Sequence, residues 1–440
     1  MAQAKHILIT TLGSLGDLHP LLAIGQGLLR RGHCVTIATS RHYQNKVLQS
    51  GLKFAPLGPE PEFNNKRLYQ ELFHPRYGPE RLIRQWLMPA LAQTTQDLEP
   101  LMANTDCLIN SPLVYPGPVL ATAMNIPWAA IALQPMTLFS AHDPPVIPAL
   151  PITQALHSVG ADFWKPFIGL MQQQTHAWAK PLYQLRKHYG VSGTSNPMFS
   201  GQFSPHLNLA LFSSLLGWPQ PDWPESTRLT GFCFYQEHGC NPDSCTQTNP
   251  LNKTNLPEPL KEFLTAEDEP PIVFTLGSSA VNTAGDFFKT SLEAAEAMGC
   301  RALLLAGENA TQLASHHPRV LAWPYAPYEQ VFSHARLVVH QGGAGTTAQV
   351  LRAGKPMIIV PYGFDQQDNA ARMQRLGVSC TITRQHYQTQ RVLAALQALL
   401  NTGHYAHSAS LAQQHLRQEN GIETACLAIE STLLKTASPV

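Results

Sequence analysis

An α/β protein with two successive parallel sheets is what the sequence predicts, and three observations predict it. The chain opens with an apolar strand, a glycine turn, an amphipathic helix and a second strand; the same alternation restarts near residue 271; and an aperiodic stretch at 234–259 lies between the two. Length agrees: 440 residues exceed what one ordinary core fills, so two domains of roughly 200 residues each are expected.

Each element has its reason. Residues 6–12, HILITTL, form a continuous apolar run of strand length, and the turn GSLGD leads into a helix on which Leu18, Leu21, Leu22, Leu28 and Leu29 keep helical spacing. Gly32 ends that helix, and CVTIAT at 34–39 returns as a strand. In the second half PIVFTL (271–276) is a strand, DFFKTSLEAAEAMG (286–299) a helix closed by Gly299, and RALLLA (301–306), RLVVH (336–340) and PMIIV (356–360) are further strands. Segments 81–101 and 161–190 read as helical; the second carries Phe163, Trp164, Phe167, Trp178 and Tyr183, which could pack a core, wall an apolar substrate or touch a membrane. The stretch FYQEHGCNPDSCTQTNPLNKTNLPEP is dense in Asn, Pro, Ser and Thr, as linkers are. The expected organisation is therefore a domain over 1–235, a linker over 236–259, a second domain over 260–418 and a tail over 419–440 that packs back on the first domain.

Composition narrows the function. Hydrophobic residues make up 44% and charged residues 13%, which excludes a disordered chain, and a net charge of +1 without a basic run argues against a nucleic-acid partner. Of the eight cysteines, Cys34, Cys107, Cys233, Cys300, Cys380 and Cys426 lie in apolar surroundings and read as small reduced core residues. Cys240 and Cys245, in CNPDSC, could pair or form half a metal site, but no second pair follows at zinc spacing. The N-terminal apolar run is too short for a signal peptide, and Pro116, Pro118, Pro127 and Pro135 interrupt the apolar stretch 113–138, so no spanning segment is expected. A cytoplasmic location fits, with peripheral contact at the inner face of a membrane left open.

The chemistry concentrates in VVHQGGAGTTAQVLRAGKPMIIVPYGFDQQDNA, residues 338–370. His340 stands at a strand end; Gly342, Gly343 and Gly345 allow close backbone approach; Thr346 and Thr347 begin a helix whose free N–H groups and positive dipole end suit phosphate. The stretch lacks the P-loop lysine and the spacing of a dinucleotide fingerprint, which argues against ATP hydrolysis and hydride transfer. After the next strand, Asp365 and Gln366 offer acceptors and donors for neighbouring hydroxyls. Phosphates flanked by hydroxyls point to a nucleotide sugar. The plainer readings are that His340 only caps the loop, that the glycines only form a tight turn, and that Asp365 only caps a helix.

The same stretch resembles the signature of the UDP-glycosyltransferase superfamily, inverting enzymes of the GT-B fold, with two Rossmann-like parallel-sheet domains facing across a cleft. LGSLGDLHP near the N-terminus is similar to the matching loop of the bacterial and sterol branches, and SAHDPPVIP and PQPDWPESTRLTGF resemble bacterial rhamnosyltransferases that build rhamnolipids. The resemblance implies an acceptor-binding first domain and a nucleotide-sugar-binding second domain. It implies that His340 and the backbone of Gly345, Thr346 and Thr347 hold the diphosphate, aided by Gly342, Gly343, Gly277 and Ser278, and that Asp365 and Gln366 grip the sugar. Tyr325 stands where many relatives place a base-stacking Trp. Ala348 replaces a ribose-binding Glu of the plant enzymes, which leaves UDP and dTDP donors both open.

By the same resemblance Asp17 is the general base, with His19 as the alternative; a helix N-cap is the plain reading of Asp17. No Asp-x-Asp metal motif appears, and Glu267, Asp268 and Glu269 read as solvated, so neither metal nor cofactor is expected. The implied reaction moves a hexose of the UDP-glucose or dTDP-rhamnose type, with inversion, to a hydroxyl of a lipophilic small molecule or lipid. A sugar-nucleotide epimerase and a catalytically silent binding subunit are the rival functions.

Overall fold

The computed structural model describes residues 4–60, 65–193, 195–236, 256–266, 269–313 and 317–434, apart from the side chains of residues 66, 69, 278, 279 and 282. The chain divides into two compact units, one of Met1–Asn65, Arg76–Gly239 and Glu419–Val440, the other of Lys66–Pro75 and Cys240–Gln418. Cys240, Cys245, Glu267 and Asp268 lie outside the described residues.

The first unit carries seven parallel strands: β1 (His6–Thr10), β2 (Cys34–Thr39), β3 (Lys53–Pro56), β4 (Cys107–Asn110), β5 (Trp128–Ala132), β6 (Leu207–Ala210) and β7 (Thr227–Leu229). Their order is β3-β2-β1-β4-β5-β6-β7. Alternation along β1 explains why both faces are covered. Ile7 and Ile9 enter a core shared with the helices Leu15–Arg30 and Gly421–Leu433, while Leu8 enters the opposite core with Leu108, Leu98, Leu120 and Leu182. The last helix packs tightly on the first: a Cβ at Gly27 would stand 2.7 Å from Cys426 Sγ. Arg31 adds ion pairs to Glu423 and Glu430 at the rim.

Segment 81–101 is helical, as expected, but interrupted. A wide helical turn, Leu82–Leu87, gives way to the helix Leu91–Met102 across Pro89, which has no N–H to donate. Likewise 161–190 splits into Ala161–Thr175 and Lys180–His188, the second starting with Pro181 in its first turn. Of the aromatics there, Trp164 is fully buried and donates to Leu156 O at 3.0 Å, whereas Phe163 is exposed. Among the described residues no helix is long and apolar enough to cross a membrane.

The second unit carries β8 (Ile272–Thr275), β9 (Ala302–Leu305), β10 (Val320–Trp323), β11 (Leu337–His340), β12 (Met357–Ile359) and β13 (Ser379–Thr381), again all parallel, in the order β10-β9-β8-β11-β12-β13. Its core includes Phe274, Phe287, Leu337, Val339 and Ile358, together with Phe73. That residue explains why Lys66–Pro75, kept with the first domain on sequence, clusters here: Phe73 meets Phe364 edge-on at 5.2 Å between ring centroids.

Both sheets share one feature that positions loops. Chain order runs outward from β1 to β3 and then resumes on the other side of β1 with β4; it runs from β8 to β10 and resumes beside β8 with β11. At such a switch point the loops leaving adjacent strands diverge, and a crevice opens at the strands' carboxyl ends. The turn GSLGD follows β1, Gly277 follows β8, and QGGAGTT follows β11.

Candidate active site

In the second unit the site is a loop of three residues, Gln341–Gly343, between β11 and the helix Ala344–Ala353. The turn requires glycine at 342, where φ is +91° and a Cβ would stand 2.6 Å from Ile359 Cγ2. Gly343 is the N-cap and no side chain caps the helix; the first intrahelical bond runs from Thr347 N to Gly343 O at 2.9 Å. The N–H groups of Ala344, Gly345 and Thr346 therefore have no partner within the helix, and Gly345 is exposed. Thr346 and Thr347 are buried, and the Thr347 hydroxyl has no hydrogen-bond partner among the described residues. Such a terminus attracts anions.

His340 is fully buried, and both ring nitrogens face protein. Nδ1 accepts from Gly342 N at 3.1 Å, and Nε2 lies 3.3 Å from Met357 Sδ. Burial lowers its pKa to about 3, so the ring is neutral at physiological pH. It braces the loop through Gly342 and supplies no positive charge.

Across the switch point Gly277 has φ +67°, and a Cβ there would stand 2.4 Å from Gln341 Nε2. The close approach that this glycine permits is thus to a buried glutamine. The Ser278 side chain lies outside the described residues.

Asp365 and Gln366 open the helix Gln366–Arg375. Asp365 occupies the N-cap position but makes no capping bond; its Oδ2 accepts from Asn369 Nδ2 at 2.6 Å. Gln366 Oε1 accepts from Tyr362 N at 2.7 Å and Gly363 N at 3.2 Å, which fixes the turn ahead of it. Tyr325 is 54% exposed, enough to present a ring face. Three residues on, Tyr328 pairs its hydroxyl with Thr275 Oγ1 at 2.9 Å, and Thr346 also bonds to that phenol. Burial raises its pKa, so it stays a neutral phenol.

In the first unit GSLGD is built around one carboxylate. Ser14 is the N-cap of Leu15–Arg30, and Asp17, three residues on, closes a capping box, its Oδ2 accepting from Ser14 N at 2.7 Å and Ser14 Oγ at 3.0 Å. The plain reading of Asp17 is corrected by one turn, since Ser14 is the cap and Asp17 its reciprocal partner. A Cβ at Gly13, where φ is +128°, would stand 2.4 Å from Asp17 Oδ2. Burial raises the Asp17 pKa above the usual 3.8, against the lowering effect of the Ser14 bonds. His19 is elsewhere: two residues along a helix turn a side chain by roughly 200°, and its ring stacks on Tyr235 with centroids 5.1 Å apart.

Sequence reasoning missed Gln341, Tyr328 and Asn369. A signal existed for Asn369, which lies four residues after Asp365 and so returns to the same face of a helix. For Tyr328 the signal was ambiguous, because YAPYEQ holds two tyrosines.

Models of the glycosyltransferase family 28 N-terminal and C-terminal domains match residues 7–111 and 297–424, together more than half of the chain. O-mycaminosyltylonolide 6-deoxyallosyltransferase of Streptomyces fradiae is 28% identical over 443 residues, covering 96% of both chains. A sterol 3-beta-glucosyltransferase of Neosartorya fischeri is 28% identical over 97% of this chain, which spans 29% of that protein. Among solved structures, a calicheamicin glycosyltransferase superposes with a TM-score of 0.71 at 18% identity, over 99% of this chain and 100% of that one. A spinosyn rhamnosyltransferase complexed with thymidine diphosphate does so with a TM-score of 0.63 at 17% identity, over 96% and 98%. These likenesses give both units the GT-B fold.

Proposed function

We infer that the chain, which belongs to glycosyltransferase family 28 and is a nucleotide-sugar-dependent glycosyltransferase, moves a hexose from a UDP or dTDP donor to a hydroxyl of a lipophilic acceptor, with inversion. The observation that carries this reading is the uncapped helix start at Ala344, placed at the switch point of its sheet, with Asp365 and Gln366 leaving the neighbouring strand. The diphosphate takes the N–H groups of Ala344, Gly345 and Thr346; the expected contact from Thr347 is not among them, because its N–H is committed to Gly343 O and its hydroxyl is buried. His340 acts on it through Gly342. Asp365 and Gln366 meet the sugar hydroxyls, and Tyr325 stacks on the base.

Asp17 is the base. Its carboxylate takes the acceptor's hydroxyl proton as the oxygen bonds to the anomeric carbon, and the bond from that carbon to the diphosphate breaks on the opposite face. The electron pair leaves with the diphosphate, whose charge the helix N-terminus receives. The names of the relatives support hexose transfer: one moves a 6-deoxyallosyl group, the other glucose to a sterol. The neighbour bound to thymidine diphosphate, with Ala348 in this chain, keeps dTDP beside UDP. Nothing in the site favours an epimerase.

The test incubates the full chain with UDP-glucose, dTDP-rhamnose and related donors against a panel of sterols, hydroxyacyl chains and long-chain alcohols. Product masses should show one added hexose, and the proton coupling at the new anomeric carbon should show inverted configuration. A retained configuration, an isomerised donor without acceptor product, or no transfer across the panel overturns the proposal.

A further inference from the structure

We propose that Asn369 is a positioning residue that sets sugar selectivity by tying the sugar-facing carboxylate to the diphosphate loop. The inference rests on the donor site proposed above and names a residue that site does not include.

Asn369 is fully buried on the first turns of Gln366–Arg375. Its Nδ2 donates to Asp365 Oδ2 at 2.6 Å and to Gly342 O at 2.9 Å. Both protons of one amide group are thereby committed, one to each loop. Orientation is settled by chemistry, because a flipped amide would set Oδ1 against a carboxylate oxygen and a carbonyl oxygen, acceptor against acceptor. Oδ1 itself has no hydrogen-bond partner among the described residues, so the amide is held by its donors alone.

Gly342 is the other end of the link. Its N–H is held by His340 Nδ1 and its carbonyl by Asn369, and a Cβ at this position would stand 2.6 Å from Ile359 Cγ2 and 3.1 Å from Gln366 O. A displacement of the Asp365 carboxylate is therefore felt at the loop that leads into Ala344, and the reverse. Sugars that fit Asp365 should leave the diphosphate where it reacts; epimers that push the carboxylate aside should move it.

The experiment compares the full-length wild type with Asn369→Ala, Asn369→Asp and Asn369→Ser. For each, the Kd of UDP or dTDP alone, the Kd of the matching nucleotide sugar, and kcat/KM for the preferred hexose against its C4 epimer are measured, with Tm recorded alongside. Expected for Asn369→Ala is a loss of about tenfold or more in discrimination between the epimers, the scale set by an unpaired buried acceptor, and larger than any loss of free nucleotide affinity that the freed Gly342 carbonyl brings. Asn369→Asp should be worse, since it sets an oxygen against Asp365, and Asn369→Ser, with one donor, should retain part of the discrimination. If the alanine variant does not fold, the serine variant decides by the same ratio. Discrimination unchanged within twofold, or nucleotide and nucleotide-sugar affinity falling together, overturns the proposal. A wild type that binds neither nucleotide nor nucleotide sugar overturns the donor reading and this proposal with it; a wild type that binds and discriminates no better than the variants overturns this proposal alone.

Discussion

Replacing Asp17 with Asn should separate its proposed role as base from its structural role in the capping box. Oδ2 takes both Ser14 bonds, and an asparagine oxygen can accept the same two. The capping box survives, whereas Asp17→Ala would lose it at about 0.5–2 kcal/mol. Basicity does not survive. Loss of a positioned base costs about 10²- to 10⁴-fold in rate, or about 2.7–5.4 kcal/mol on the barrier at roughly 1.36 kcal/mol per decade.

Stability should move the other way, if at all. Burial raises the Asp17 pKa in the folded state, so the folded protein holds this proton more tightly than the unfolded chain. That contribution is fully present below the unfolded pKa and is lost as pH rises through the folded one; at pH 7 the ionised carboxyl is a net cost that Asn removes. The Tm of Asp17→Asn should thus equal or slightly exceed that of wild type. The assay is product mass against time from pH 5 to 9, with nucleotide affinity by calorimetry. Wild-type rate should fall with acid below the raised pKa, and the variant should lack that limb. A variant that keeps more than about a third of the wild-type rate, far above the loss expected for a base, or loses nucleotide affinity in step with rate, refutes the assignment.

Gly13→Ala should reproduce much of that rate loss without touching a charge, because the new Cβ would sit 2.4 Å from Asp17 Oδ2 at a backbone φ of +128°; wild-type kcat in a folded variant would count against a precise placement of the carboxylate. His340→Ala should weaken nucleotide binding about tenfold by leaving the Gly342 N–H unpaired, read by calorimetry. Since the folded His340 pKa is near 3 against roughly 6.5 for a free imidazole, stability falls as pH drops from about 6.5 toward 3, and His340→Gln should flatten the dependence of Tm on pH in that window. Turnover should persist in EDTA, because the leaving diphosphate is received by backbone N–H groups; a loss of more than about tenfold, restored by magnesium, would falsify that account.

How much of this was legible follows from how local each signal is. Strands β1, β8, β11 and β12 are short apolar runs buried on both faces, and each reads directly from the sequence. β10 and β13 close the edges of their sheet and are only partly buried, so burial constrains their residues less. The glycine turns were visible because positive φ restricts residue choice, but what Gly277 and Gly342 approach was not: Gln341 and Ile359 are known only once strands pair. Phe73 carried no local signal whatever. It joins a core whose other members start near residue 272, and only the contact with Phe364 shows why a phenylalanine stands there.

The state of His340 decides how the proposed donor site handles charge. A histidine at the end of a strand beside a phosphate cradle invites the reading of a cation, yet burial holds this ring neutral, and its Nδ1 must carry a lone pair to accept from Gly342. Protonation would turn that acceptor into a donor facing another donor and undo the turn. The leaving diphosphate must then be met by groups that are charged in part and fixed in direction: the unpaired N–H groups at the start of Ala344–Ala353, where peptide dipoles sum to about half a positive charge. Such groups need no reorganisation as charge develops, provided that the loop is rigid. Rigidity is what the sequence HQGGAGTT supplies here, with His340 on the Gly342 N–H, Asn369 on its carbonyl, and glycine at the position where any Cβ would strike Ile359.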